Sequence, residues 1–235
     1  MKREGKQGRL VIAVDGPVGA GKSTAARLLA ERLGCRYIDS GAMYRALAWK
    51  ALQMDLDLED ERRLMRLIGD TSITLEGSGD GLIVLVDGQE VSREIRTPEV
   101  EQASSKISTL AGIRRVMVAR QREMASQGGV VMDGRDIGTV VFPDADVKFY
   151  LEARLEERAK RRYLEARRAG VAGDLEKFTE EVKVRDARDM GRSASPLRKA
   201  EDAVTIDTTG LNAFQVVAAM ENETNRRVGP VEGSA

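Results

Sequence analysis

The sequence predicts an α/β fold, a doubly wound parallel sheet flanked by helices. Three observations carry this. Short apolar runs alternate with segments of helical spacing along most of the 235 residues, the pattern of a parallel sheet with crossover helices. The first run, LVIAVD at residues 10–15, stops at a glycine cluster and gives way to a helical segment. After Gly69 the texture turns β-rich with closely spaced glycines, which marks a small insertion rather than more of the main sheet.

The elements follow in order. STAARLLAERLG repeats apolar residues at helical spacing until Gly34. CRYID reads as a second strand, with Ser40 placed to cap a helix through AMYRALAWKAL. LEDERRLMRLI predicts a further helix. SITLEG and GLIVLVDG are punctuated by Gly77, Gly79, Asp80-Gly81 and Asp87-Gly88, all turn formers, and predict a small antiparallel sheet. Helical spacing resumes from Pro98 to about Gln127. VVMD and DVKFYL follow as parallel strands, and AVTID closes the series before a last helix, LNAFQVVAAM. Residues 1–8 and the tail from Asn225 read as disordered, and no repeats occur.

Composition narrows the chemistry. Histidine is absent, which excludes Ser-His-Asp triads, His-ligated zinc and histidine general bases. Chemistry here uses carboxylates, guanidiniums, a lysine or a metal held by oxygen. Lys plus Arg equals Asp plus Glu at 38 each, so no overall field draws nucleic acid or an acidic membrane, and neither is expected as a partner. The single Cys35 allows no internal disulfide and reads as a small core residue. The start, MKREGKQGR, has no apolar stretch behind it for a signal or a span, so the mature chain is expected to begin near Arg9 in the cytoplasm.

Gly16 to Ser23, GPVGAGKS, satisfies G-x-x-x-x-G-K-[ST] between a strand and a helix. Gly16, Pro17, Val18, Gly19, Ala20 and Gly21 form a loop whose backbone N–H groups can turn toward a phosphate. The helix that follows directs its positive end there, and Lys22 adds a mobile charge. The motif predicts a P-loop NTPase-type sheet that binds phosphate, with Ser23 offering its hydroxyl to Mg²⁺; phosphate binding alone does not separate a kinase from a switch or a motor. Asp133 ends an apolar parallel strand at the carboxyl edge of the sheet, where it can hold Mg²⁺ directly or through water; the alternative is a turn aspartate capping the next segment.

GPVGAGKST, DSGAMYR, EIRTPEV, DGRDIGTVVFP and RDARDMGR, in this order and separation, resemble the bacterial cytidylate kinases among the P-loop nucleoside monophosphate kinases. The resemblance covers roughly Leu10 to Met220. It implies a core of residues 9–39, 120–152 and 176–224. A nucleoside-monophosphate-binding domain would span 40–119, including the β-rich insertion at about 70–96, with a helical lid at 153–175. It also implies transfer of the γ-phosphoryl group of ATP to CMP or dCMP in pyrimidine metabolism, by a monomer.

The resemblance assigns residues as follows. Arg45, Arg135, Arg188 and Arg192 would hold the acceptor phosphate, and Ser40 lies in the same motif as Arg45. Planar guanidiniums that donate paired hydrogen bonds suit a dianionic phosphate. Asp136 would accept from the exocyclic amine of cytosine, with Arg114 and Ser105 donating to ring acceptors. Uracil offers an acceptor where cytosine offers a donor. Arg185 and Asp189 would hold the pentose hydroxyls, unless Asp189 pairs with an arginine of its own helix. Arg158 and Arg162, in the arginine-rich lid, would reach the transferring phosphoryl group. Lys22, Asp133, Arg135 and Arg188 are the residues expected to act in catalysis. Ser23 stands where many such kinases have glycine before Thr24, which leaves the choice of metal-facing hydroxyl open. Trp49, Tyr37 and Tyr44 are assigned to packing. Competing readings are a kinase for UMP, dTMP or a metabolite such as shikimate, and a nucleotide switch. The N-K-x-D element of guanine switches is absent, and DTTG at 207–210 comes too late for a phosphate sensor.

Overall fold

The computed structural model describes residues 10–77 and 82–229. Residues 1–8 and the turn formers Gly79 and Asp80-Gly81 lie outside the described residues.

Five strands form the main sheet: β1 (Val11–Asp15), β2 (Arg36–Asp39), β6 (Val130–Asp133), β7 (Val147–Glu152) and β8 (Val204–Asp207). Their order is β2-β6-β1-β7-β8, and all neighbours run parallel. Buried on both faces, β1 and β6 read as nearly unbroken apolar runs. Each of the five strands ends on an acid, so the carboxyl edge is lined with carboxylates: Asp39 is in register with Asp133 and Glu152 with Asp207, while Asp15 extends one residue past the partner of Asp133 and pairs with Tyr150.

Helices α1 (Lys22–Arg32) and α8 (Ala213–Val228) cover one face; Ala25, Ala26, Leu29 and Ala30 of α1 and Val216, Val217 and Met220 of α8 cluster with Ile12, Val14 and Phe149. Cys35 lies half-buried against this cluster. A second cluster joins α2 (Ser40–Gln53), α3 (Glu61–Gly69), α4 (Pro98–Ile107) and α5 (Ala111–Met124) to the small antiparallel sheet of β3 (Ile73–Glu76), β4 (Ile83–Val86) and β5 (Gln89–Glu90). The hairpin between β4 and β5 turns at Asp87-Gly88, where both φ angles are positive, 52° and 83°, as a tight two-residue hairpin requires. Helices α6 (Leu155–Arg168) and α7 (Leu175–Gly191) pack together beside the sheet edge. No helix among the described residues is long and apolar enough to cross a membrane.

Three expectations are corrected. Ser40 is not the cap of α2. The Asp39 carboxylate accepts from Ala42 N at 2.9 Å, while Ser40, inside the first turn, donates its hydroxyl to the Asp133 carbonyl at 2.6 Å. The helical run from Pro98 breaks at 108–110, because the Ser108 and Thr109 hydroxyls satisfy the carbonyls of Ser105 and Lys106 and end α4. Residues 225–228, expected in a disordered tail, form the last turn of α8, where Arg226 and Arg227 both bond Glu223.

Candidate active site

The phosphate loop is shaped by what cannot fit beside it. A Cβ on Gly16 would stand 2.0 Å from the Leu151 carbonyl oxygen of β7, and φ there is +145°, so only glycine serves. The loop backbone is then clamped from three sides. Val18 N donates to Asp186 Oδ1 at 3.3 Å, Val18 O accepts from Arg158 at 3.0 Å, and Ala20 O accepts from the Thr208 hydroxyl at 3.1 Å. Lys22 opens α1, and its ammonium donates to Pro17 O at 2.7 Å. Burial, followed by repulsion from Arg135, lowers its pKa to about 7.

Arg158 is 8% exposed, and its guanidinium is taken up by Val18 O, Ala153 O and the Asp186 carboxylate. It ties helix α6 to the loop and does not line the cleft. Arg161, overlooked in the sequence, bonds Thr208 through its hydroxyl at 2.9 Å and its carbonyl at 2.7 Å. The run Arg158, Arg161, Arg162 held the signal, since positions three and four apart share a helix face.

Beside the loop, Asp133 accepts from Ser23 Oγ and from the Tyr37 hydroxyl, both at 2.8 Å. Tyr37, assigned from the sequence to packing, therefore orients a carboxylate. Burial, followed by repulsion from Asp39, pushes Asp133 up to about 6. A carboxylate and a hydroxyl, hard oxygen donors in contact at a helix N-terminus, fit Mg²⁺. The hydroxyl meeting Asp133 is that of Ser23. Among the described residues no cluster of three or more His, Cys, Asp or Glu holds a metal unaided, so phosphate and water oxygens would complete the shell.

Across the cleft the arginines are poised on carboxylates. Arg45 pairs with Asp39 at 2.8 Å, Arg135 with Asp189 at 2.8 Å, and Arg162 with Glu101 at 2.6 Å, with Arg185 3.6 Å from the same glutamate. Arg188 donates to Ser105 Oγ at 2.7 Å. Arg192, just past the end of α7, reaches Asp189 at 3.9 Å. Burial works against Asp189, yet Arg135, Arg185 and Arg192 together hold its carboxyl below the ordinary range. Asp136 and Arg114, 5% and 3% exposed, form a buried pair; Arg114 also donates to Ser108 O at 3.1 Å and lies over the Tyr44 ring at 5.6 Å.

Several buried polar atoms here have no partner in the protein: Tyr44 OH, Arg45 Nε, Arg114 Nε, and Arg192 Nε and Nη2. All four side chains line the cleft that also holds Lys22, Ser23 and Asp133. A buried unmade hydrogen bond costs about 1–3 kcal/mol, so donors converging without acceptors describe a site for an anionic, acceptor-rich molecule. Thr24, Ser40, Ser105, Arg135, Asp136, Arg162, Arg185 and Asp189 share this wall. Gly16, Pro17 and Ala20 sit behind it as backbone, Arg158 behind it as a clamp, and Arg188 on the adjoining groove.

Comparison with known proteins points to one family. The cytidylate kinase family model matches residues 12–226. The cytidylate kinase of Geobacillus thermodenitrificans (strain NG80-2) is 52% identical over 221 residues, covering 94% of this chain and 99% of the relative. That of Desulforamulus reducens is 52% identical over 206 residues, covering 88% and 92%. A solved structure of an uncharacterized protein from Eubacterium ventriosum matches at TM-score 0.51 and 11% identity, covering 93% of this chain and all of that one, a likeness of fold alone.

Proposed function

This chain belongs to the cytidylate kinase family, and from that premise we propose that its cleft transfers the γ-phosphoryl group of ATP to CMP or dCMP, giving ADP and the diphosphate. The observation that carries the reading is the set of buried guanidinium atoms without partners, on Arg45, Arg114 and Arg192, facing a phosphate loop across one cleft. A nucleotide triphosphate on the loop and a monophosphate opposite would bring two anions together, and these arginines offset their repulsion.

In this reading the loop amides and Lys22 grip the donor phosphates. Polyphosphate beside Lys22 restores its full positive charge, which burial has weakened. Arg45, Arg135, Arg188 and Arg192 hold the acceptor phosphate. One of its oxygens attacks the γ-phosphorus in line as the bond to the bridging oxygen breaks and ADP departs. That oxygen is already anionic, so no general base is needed and a chain without histidine suffices. Ser23 and Asp133 would hold Mg²⁺, which supplies charge neutralisation along the donor phosphates. Asp136, paired with and oriented by Arg114, accepts from the cytosine amine, and Ser105 donates to the ring. Arg185 and Asp189 take the pentose, and Arg162 approaches the transferring group on closure by leaving Glu101. Closure excludes water, so ATP hydrolysis without CMP stays low. The reading takes the enzyme to be a cytoplasmic monomer.

An ADP-release assay with Mg-ATP and a panel of CMP, dCMP, UMP, dTMP and shikimate tests this. CMP and dCMP should dominate. Equal rates with CMP and UMP, or turnover only with a non-nucleotide, would overturn the assignment.

A further inference from the structure

Asp15 is used by none of the roles above, although it is the last residue of β1 and directly precedes the phosphate loop. It is 4% exposed. Its two carboxylate oxygens accept from consecutive backbone amides, Ile137 N at 2.8 Å and Gly138 N at 2.7 Å. These are the first amides of a single π turn, Ile137–Val141, which starts immediately after Asp136. The first amides of such a turn have no partner within it, so something outside must satisfy them. A local serine or asparagine cap would have done so. Here the acceptor comes from a different strand, the one that feeds the donor loop. A further bond, Gly134 N to Val14 O at 3.0 Å, fastens the near end of the same segment to β1. The packing leaves little slack: a Cβ on Gly138 would meet Asp15 Oδ2 at 3.3 Å and Lys148 Cδ at 3.1 Å.

We propose that Asp15 is a positioning residue that fixes the segment carrying Arg135 and Asp136 relative to the phosphate loop, and so sets the accuracy with which the acceptor base is read. Resting on the reading of Asp136 as the base-reading carboxylate, it assigns selectivity to a residue that touches neither substrate. Two consecutive amides bonded to one carboxylate leave the turn no freedom to rotate, so the Asp136 side chain emerges at a fixed angle toward Arg114. Losing one bond lets the turn pivot, and a shift of that kind weakens discrimination more than it weakens donor binding, because the loop itself keeps its clamps from Asp186, Arg158 and Thr208.

The test is Asp15→Asn, which keeps shape but presents an NH₂ to one of the two amides. The readouts are kcat/KM with CMP and with UMP, and KM for ATP. The preference for CMP over UMP should fall by about tenfold or more through a raised KM for CMP, while KM for ATP changes by less than about threefold. Unaltered preference, or equal rises in both KM values, overturns the proposal. If Asp15→Asn does not fold, Gly138→Ala, which strains the same contact, carries the test, and full retention of preference there is equally decisive against it. Wild-type protein is the control: no CMP turnover defeats the functional reading itself, whereas wild-type turnover with an unchanged variant preference defeats only the role of Asp15.

Discussion

Replacing Arg158 with methionine separates a clamp from a catalytic arginine. The guanidinium is 8% exposed and donates to two backbone carbonyls and to Asp186, a carboxylate of equal burial that also accepts from Val18 N. Removing one member of a buried ion pair leaves the other charge uncompensated, at about 3–5 kcal/mol. Domains of this kind are stable by about 5–15 kcal/mol, so the loss is a large fraction of the whole. The double variant Arg158→Met/Asp186→Leu removes both charges and should recover most of that loss, since a buried pair exchanged for apolar groups is often nearly neutral. Urea denaturation of wild type, both single variants and the double gives the coupling energy directly. An arginine that instead touched the transferring phosphoryl group would lower kcat by about 10²- to 10³-fold at constant stability, with no recovery in the double variant. An unchanged denaturation midpoint for Arg158→Met would refute the clamp.

Three further outcomes follow from the geometry. Asp136→Asn should lower the ratio of kcat/KM for CMP over UMP by about 10²-fold, because an amide can donate to the uracil oxygen that a carboxylate rejects; a ratio held at the wild-type value would remove Asp136 from base reading. Gly16→Ala forces a methyl against the Leu151 carbonyl, which neither strand can yield, and should cost more than about 3 kcal/mol and abolish ATP binding in calorimetry. Burial pushes Asp15 up from 3.8 to about 7 even though two amides favour its charged form. A folded pKa above the unfolded one means stability is lost as pH rises from about 4 to about 7, by at most about 4 kcal/mol. Asp15→Asn should flatten that window in urea midpoints at pH 4, 5.5 and 7.5, and a wild-type-to-variant difference independent of pH would contradict the shift.

Much of this was legible because the relevant residues act through side chains in a local pattern. GPVGAGKS states a glycine-built loop between strand and helix in eight letters, and Asp87-Gly88 states a hairpin in two. What escaped depends on partners distant in sequence. Asp39 and Ser40 are both able caps for α2; the choice falls to Asp39, while the Ser40 hydroxyl is taken by the Asp133 carbonyl on a neighbouring strand. Tyr37 reads as core until strand pairing brings its hydroxyl to Asp133. Asp15 gives no signal at all, because its partners are backbone amides 122 and 123 residues away, and amides have no letter. The arginine-rich helix showed its charge but not its direction: Arg158 turns inward to the loop while Arg162 faces the cleft.

Arg45, Arg135 and Arg162 each rest on a carboxylate of the chain itself. On the proposed reading, a monophosphate arriving at Arg45 and Arg135 therefore displaces an anion already in residence, much as a solute displaces the counter-ion on an exchange resin. The net gain is the difference between two similar attractions, which keeps ground-state affinity shallow and leaves the larger stabilisation for charge that develops during transfer. On the same reading, Asp39 and Asp189 are the ions that push the diphosphate off on the way out.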